Sequence, residues 1–462
     1  MSATTVSPAR RAAFEVLRRT FEHGAWADRA LLSAVERHAP DARDRAQAQR
    51  LAYGAVQRRG TSDHIVGELA GRSPEDLDPA VIAALRLGLY ELMHSGGTPD
   101  YAAVDQAVEL AKGGLRAAAV PAGRARAAAG LVNAVLRRAA REAPALIGSL
   151  DDSTAGGAAI RHSYPPWLAA LWWDELGRDS ALSLMTAMNE PAETALRVNT
   201  LRADPERIAA ELRAGGDEVE GPLEGRDPLH PREALIARGA LGHGLAPRIS
   251  LGELVPQSRG SQAVVAILDP RPEERVLDLC AGPGIKTTAI AARTGDRGEL
   301  VAVEVDPGRA AQIADRCGLV GAGSARIEIA DASTADLGGG YDRVLVDPPC
   351  SDLGTLASRP DARWRKSPET LARLGELQER ILARGAASLR PGGTLVYATC
   401  TISKRENEDV VVSALARARD LVVDDLGAAH PTLASTHDRR FLQIRPDRDR
   451  SDGFFVARLR RA

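Results

Sequence analysis

The sequence predicts an all-α helical bundle followed by an α/β unit with a mostly parallel sheet and helices on both faces. Three observations carry this. Apolar residues recur at helical spacing through residues 1–145, and short apolar runs alternate with helical segments beyond Tyr164. The first of those runs ends in a glycine loop, where such sheets bind ligands. With 462 residues, 44% of them hydrophobic, the chain is long enough for two or three domains with sizeable cores.

In the helical part the periodic stretches are Ala12–Leu17, Ala30–Val35, Leu51–Val56, Val81–Leu92 and Leu131–Leu136. Ser73, Asp78 and Asp100 precede periodic stretches as N-caps, and Gly60, Gly71 and Gly96-Gly97 act as terminators. The Gly-, Ala- and Arg-rich segment Gly113–Gly130 reads as a mobile connection. Asp151–Ala159, rich in Ser, Gly and Asp, reads as the core of a linker over 146–164. A small α/β module is expected over 165–256, and the main α/β domain over 257–462. Strands of that domain are expected at Arg275–Leu279, Leu300–Val305, Ala325–Ile329, Asp342–Val346 and Thr394–Ala398.

No apolar run approaches the ~18 residues of a membrane span, and Met1–Arg11 leads into no signal-type segment. Four cysteines cannot make a disulfide framework, so a cytoplasmic protein with no membrane partner is expected. The net charge of −2 conceals an asymmetry: residues 1–150 carry +4 and the remainder −6. A positive excess of that size is more often a solvated face than a nucleic-acid site. Only four of the 60 basic residues are lysines (Lys112, Lys286, Lys366, Lys404), so each either marks a site with a specific need for lysine or persists by chance.

The first strand of the α/β unit runs into Cys280-Ala281-Gly282-Pro283-Gly284-Ile285-Lys286. Glycines there let a ligand approach the backbone, and the next helix offers free N–H groups to an anionic group. The spacing is neither that of a Walker A loop nor of the dinucleotide G-x-G-x-x-G, so a structural tight turn is the alternative. Glu304 ends the second strand, 20 residues after Gly284, where an acidic side chain commonly holds a ribose diol. Asp331 follows the third strand and either contacts a base or caps the next segment. The fourth strand ends in Asp347-Pro348-Pro349-Cys350 and the fifth in Thr399-Cys400-Thr401. Parallel strands put both ends in one crevice, so two cysteines beside a nucleotide-like pocket suggest covalent catalysis on an electrophilic ring. The pair lacks the CxxC and His spacing of zinc sites, and no metal is expected.

On these residues, 195–462 resemble the RNA cytosine-5 methyltransferases that use S-adenosylmethionine. Further matching motifs are Leu196–Thr200, Arg359-Pro360-Asp361 with Trp364, Glu406-Asn407, and Asp452-Gly453-Phe454-Phe455. Residues 6–142 resemble the helical RNA-binding NusB factor through Arg11–Leu17, Leu85–Leu92, Val104–Lys112 and Leu131–Arg137. Together they resemble the RsmB/NOP family of ribosomal RNA methyltransferases with an N-terminal NusB-like domain, and so imply a Rossmann-like methyltransferase fold.

The resemblance implies that Cys400 is the nucleophile toward cytosine C6 and that Cys350 assists release of the methylated base. Asp347 would hold the cytosine edge and help bind the cofactor. Residues Cys280, Ala281, Gly282, Pro283, Gly284, Ile285 and Lys286 would cradle the methionine end of S-adenosylmethionine, Glu304 its ribose and Asp331 its adenine. Arg197 and Asn199 would contact RNA. The implied partner is 16S ribosomal RNA, free or early in assembly, met by a monomer. The alternatives are the same chemistry on a transfer RNA or another ribosomal cytosine, and a non-catalytic RNA-binding assembly factor. The family loop reads Cys-Ala-Ala-Pro-Gly-Gly-Lys-Thr; here Gly282 and Ile285 depart from it. Gln257-Ser258 stands where Gln-Asp is usual, and Glu304 where Asp is commoner.

Overall fold

The computed structural model describes residues 6–39, 41–223, 227–238 and 244–462. They form two compact units, Met1–Asn189 with Arg359–Arg365, and Glu190–Ser358 with Lys366–Ala462.

The first unit is helical, as expected. Its helices are α1 (Pro8–Glu22), α2 (Ala27–His38), α3 (Ala42–Gln57), α4 (Arg59–Ala70) and α5 (Pro79–His94). They continue with α6 (Asp100–Ala117), α7 (Ala122–Gly148), α8 (Ala155–His162), α9 (Pro166–Leu176) and α10 (Arg178–Ala187). Helix α5 is buried on nearly every side, from Ala80 to Leu89, and begins at an Asp78 cap followed by Pro79. Arg86 on this helix is tolerated because Asp63 takes both of its guanidinium arms at 2.7 and 2.8 Å.

One sequence expectation changes here. Residues 113–130 are not a mobile connection: α6 and α7 leave only a short turn between Ala117 and Ala122. Gly114 is there for packing, since a Cβ on it would lie 2.6 Å from that of Ala80. Within the expected linker over 146–164, α7 reaches Gly148 and α8 fills Ala155–His162. The residue after α8, Ser163, has a left-handed backbone (φ +63°) and is buried. Its Oγ accepts from the Gly60 N–H at 2.8 Å and donates to the Gln57 carbonyl at 2.7 Å, tying the α3–α4 junction. Helices α9 and α10 group with this unit, which extends to Asn189.

The segment Arg359–Arg365 is held inside the helical unit by side chains. Trp364 Nε1 donates to the Val56 carbonyl at 2.8 Å. Asp361 accepts from the Ala27 N–H at 3.3 Å, supplying α2 with the cap that its own Trp26 cannot. Arg363 is fully buried, 2.8 Å from Asn189 Oδ1 and 3.2 Å from the Ser163 carbonyl, with its guanidinium 4.1 Å from the Tyr164 ring centre.

The second unit opens with β1 (Thr194–Val198), α11 (Pro205–Ala214), β2 (Val219–Glu220), β3 (Ala234–Ala237), α12 (Leu245–Ser250) and β4 (Leu254–Pro256). These strands make an antiparallel sheet in the order β2-β3-β1-β4. The main domain follows with α13 (Arg259–Leu268), β5 (Arg275–Asp278), α14 (Ile285–Thr294), β6 (Glu299–Glu304), α15 (Pro307–Val320), β7 (Ala325–Ile329) and β8 (Tyr341–Val346). It ends with α16 (Pro368–Ser388), β9 (Leu389–Thr399), α17 (Glu408–Arg417), β10 (Leu421–Val423), α18 (Leu426–Ala429), β11 (Leu442–Ile444), α19 (Pro446–Asp449) and β12 (Phe454–Arg461).

Its sheet runs β10-β12-β9-β8-β5-β6-β7, with β11 also paired to β12. The five strands read from the sequence are the parallel core, and β12 adds antiparallel to β9. Residues alternate between the faces: Val276, Leu345 and Val396 meet α13, α14 and α15, while Leu277, Val344 and Leu395 meet α16 and α17. Strands β6 and β7 lie to one side of β5 and β8 and β9 to the other, so the chain reverses direction across the sheet between β5 and β8. The crevice at the carboxyl ends of those strands is the expected ligand site.

Asp278 closes β5 inside the core. Its Oδ2 accepts from Thr287 Oγ1 at 2.7 Å, and burial, only partly opposed by that bond, pushes the carboxyl up to about 7. Two measurements test these features. Arg363→Ala should cost about 3 kcal/mol or more in urea unfolding, since it leaves buried acceptors unpaired and opens a cavity; a loss below about 1 kcal/mol would contradict the role. Asp278 binds its proton more tightly when folded, so it lowers stability as pH rises from its ordinary 3.8 toward about 7. Asp278→Asn should remove that slope from the unfolding midpoint between pH 5 and pH 8, and an unchanged slope would refute the assignment.

Candidate active site

The loop after β5 carries two left-handed glycines, Gly282 (φ +56°) and Gly284 (φ +83°), and Gly284 caps α14. A Cβ on Gly284 would stand 3.1 Å from Ile313, so this position needs glycine for both conformation and space. At Gly282 a Cβ would meet no atom within 4 Å, which leaves the loop's outer edge open. Ile285 packs against the core cluster containing Ile313 and Val264, which accommodates its branched side chain. Asp278 Oδ1, beneath the loop, is buried with no hydrogen-bond partner among the described residues.

Lys286 leaves the first turn of α14 and pairs with Asp347 at the end of β8, Nζ to Oδ2 2.6 Å. Burial pulls the ammonium's pKa down, but the Asp347 charge and hydrogen bond more than offset it, so the lysine keeps its charge. The same Nζ lies 5.0 Å from the centre of the Phe454 ring on β12. Glu304 is buried at the end of β6 and accepts from the Asp306 N–H at 2.9 Å. Asp331 is exposed after β7 and accepts from the Ser333 N–H and hydroxyl at 2.8 and 2.7 Å, which hold its carboxyl below the usual range.

The two strand-end cysteines meet. Cys350 Sγ and Cys400 Sγ are 3.1 Å apart, and Cys400 Sγ–H donates to Asp352 Oδ1 at 3.4 Å. The contact with Cys350, then burial, then the charges of Asp352 and Asp347 keep Cys400 a thiol well above its ordinary pKa. Burial and the surrounding carboxylates do the same to Cys280. The fourth cysteine, Cys317, packs in the core.

A buried carboxylate, Glu406, fixes this arrangement. It accepts from the Ser351 N–H at 2.9 Å, from the Ser351 hydroxyl, and from Gln378 Nε2 at 3.0 Å. The Ser351 and Thr401 hydroxyls meet at 2.7 Å, so the residues following Cys350 and Cys400 are joined. Asn407 accepts from Thr399 Oγ1 at 2.6 Å and donates to the Thr401 carbonyl at 3.2 Å. Gly354 completes the frame: its N–H donates to the Cys400 carbonyl at 2.9 Å and its carbonyl accepts from the Gly453 N–H at 2.7 Å.

The expected RNA contacts Arg197 and Asn199 are buried, with their side chains hydrogen-bonded inside the protein. Arg197 donates to Gln257 Oε1 at 2.8 Å and Thr288 Oγ1 at 3.0 Å, bracing β1 against α14. Asn199 donates to the carbonyls of Gly252 and Val320 at 2.9 and 2.8 Å. Ser258 caps α13, the task the more usual Asp would perform. Residues that the sequence reading left without a role are Asp278, Asp352 and Lys366. Asp278 sits two residues before Cys280 and was legible as a strand-end acid; Lys366 was legible only as a rare lysine.

Comparison with known proteins agrees with this architecture. Residues 265–460 match the family model described as 16S rRNA methyltransferase RsmB/F, residues 7–141 the NusB family, and residues 164–224 an RsmF/B-like ferredoxin-like domain. The chain is 34% identical over 448 residues to ribosomal RNA small subunit methyltransferase B of Thermus thermophilus, covering 95% of this chain and 94% of that one. It is 31% identical over 425 residues to the protein of the same name from Sodalis glossinidius, covering 90% of each. The crystal structure of PH0851 superposes with a TM-score of 0.82 at 25% identity, covering 99% of this chain and 100% of that one. A NusB-like helical unit, a methyltransferase sheet whose β8 and β9 bring two thiols into contact, and relatives aligned along nearly their whole length make this chain a member of the RsmB/F family of ribosomal RNA small subunit methyltransferases.

Proposed function

We propose that the chain methylates C5 of one cytosine in 16S ribosomal RNA, through a transient bond between Cys400 and C6 of that base. The observation that carries this reading is the 3.1 Å contact of Cys350 and Cys400 beside the Asp347–Lys286 pair. Cytosine C5 is a poor nucleophile until a thiol adds at C6 and pushes electron density onto it. The base must leave its stack to reach the thiols. Cys400 adds to C6, Asp347 holds the cytosine edge, and Cys350 assists removal of the C5 proton so that Cys400 can depart.

S-adenosylmethionine fits the neighbouring loop and supplies an electrophilic methyl group there. The fit rests on the open backbone at Gly282, the partnerless Asp278 Oδ1 and the acid at the end of β6. Residues Cys280–Lys286 would take its methionine end, Glu304 its ribose and Asp331 its adenine. The helical unit carries a cleft of about 670 Å³ lined by Arg11, Arg18, Arg19 and Arg116, by Glu15 and Glu109, and by apolar residues such as Phe14 and Leu110.

Cys400→Ala should abolish methyl transfer, by more than about 10³-fold in single turnover, while S-adenosylmethionine binding persists; retained turnover would sink the mechanism. Cys350→Ala should instead trap a covalent protein–RNA adduct visible on a denaturing gel, and an adduct-free, fully active variant would refute its role. Bisulfite sequencing of RNA from cells with and without the gene should show one protected 16S cytosine lost. Loss in transfer RNA would move the substrate there, and no loss anywhere would overturn the reading.

A further inference from the structure

We propose that Asp352 is a catalytic residue, the proton acceptor for the Cys400 thiol, and that Lys366 is the positioning residue that holds it. The proposal rests on the cytosine-5 reading above and adds the group that activates its nucleophile.

Cys400 cannot act as a ready-made thiolate. It is a thiol in contact with a second thiol and with the Asp352 carboxylate, so its proton must go somewhere as the S–C6 bond forms. The charged and titratable groups facing it are Cys350 and Asp347 from the end of β8, Asp352 from the next loop, and Lys286 from α14. Asp347 is taken by Lys286 at 2.6 Å. Asp352 is the carboxylate toward which the Cys400 S–H points, at 3.4 Å.

The backbone at Asp352 is also unusual. Its φ is +61°, a left-handed conformation that favours glycine and that aspartate adopts more readily than most residues. Lys366 Nζ lies 3.5 Å from Asp352 Oδ2 and 3.5 Å from the Cys350 carbonyl, so one ammonium ties the carboxylate to the backbone of the neighbouring cysteine. Oδ2 faces the lysine while Oδ1 faces the sulfur. Lys366 is one of only four lysines in the chain, and an ammonium suits a narrow site with two acceptors.

The step balances within the site. The Cys400 S–H bond breaks, its proton passes to Asp352 Oδ1, and the sulfur pair forms the S–C6 bond as the C5–C6 π pair shifts toward C4 and N3. On release the S–C6 pair returns to sulfur, which takes the proton back from Asp352.

The test uses the full chain with Asp352→Asn, which keeps size and tolerance for the left-handed backbone, and Asp352→Gly, which relieves that backbone. Both should slow single-turnover adduct formation on target RNA by about 10²–10⁴-fold at pH 7, with a rate that then climbs faster with pH than the parent's. In RNA-free protein, iodoacetamide alkylation of Cys400, followed by mass spectrometry, should shift to lower pH in both variants. Asp409→Asn on the surface should leave it unmoved. Adduct formation at the parent rate, or a uniform loss with an unchanged pH profile, would overturn the proposal; so would an unshifted alkylation profile. The alkylation arm needs no RNA, so failure of the parent to form any adduct would strike the cytosine-5 reading and leave the Asp352–Cys400 coupling separately decided.

Discussion

The catalytic crevice depends on one buried carboxylate. Glu406 receives hydrogen bonds from Ser351 and Gln378, and through Ser351 it joins the loop after β8 to the loop after β9. Parallel neighbours in a sheet already place their carboxyl ends side by side, but strand pairing alone leaves the exits free to diverge. Glu406 removes that freedom immediately beyond each cysteine. Its burial raises its own pKa, and the donors converging on it are what make the burial tolerable.

Electrostatics completes the design. Three thiols and the carboxylates Asp278, Glu304, Asp347 and Asp352 gather around one crevice, and burial with these neighbours holds Asp278, Cys280 and Cys400 toward their protonated forms. Lys286 and Lys366 supply the opposing charge, each aimed at a single aspartate. In a chain whose basic residues are almost all arginine, both lysines stand where a planar guanidinium fork would need more acceptors in its plane than the site offers.

Much of the fold was legible because its signals are local. The five parallel strands carry continuous apolar runs, and the structure places each within a residue or so of its expected bounds, apart from the longer N-terminal extension of β9. The return strand β12 was not read as a strand, since the basic residues Arg458, Arg460 and Arg461 interrupt its apolar run and it gains its partner only when β9 is beside it. The supposed mobile connection was misread because an alanine-rich segment with glycine looks loose until packing is known. Gly114 shows why: it marks close approach of Ala80, not freedom. Arg197 and Asn199 are the reverse case, polar residues whose burial no local pattern announces.

The sequence by itself determined the order of domains, the strand ends that bear the cysteines, and the glycines that shape the loop after β5. Each of these follows from periodicity, backbone preference or a short motif, which are properties of neighbouring residues. Only the tertiary structure decided that Cys350 and Cys400 touch, that Asp352 and Lys366 join them, and that Arg359–Arg365 belongs to the helical unit. Those relations span from a dozen to several hundred residues. They exist because hydrogen-bond partners for buried polar groups must be found wherever the fold brings them, not where the chain is near.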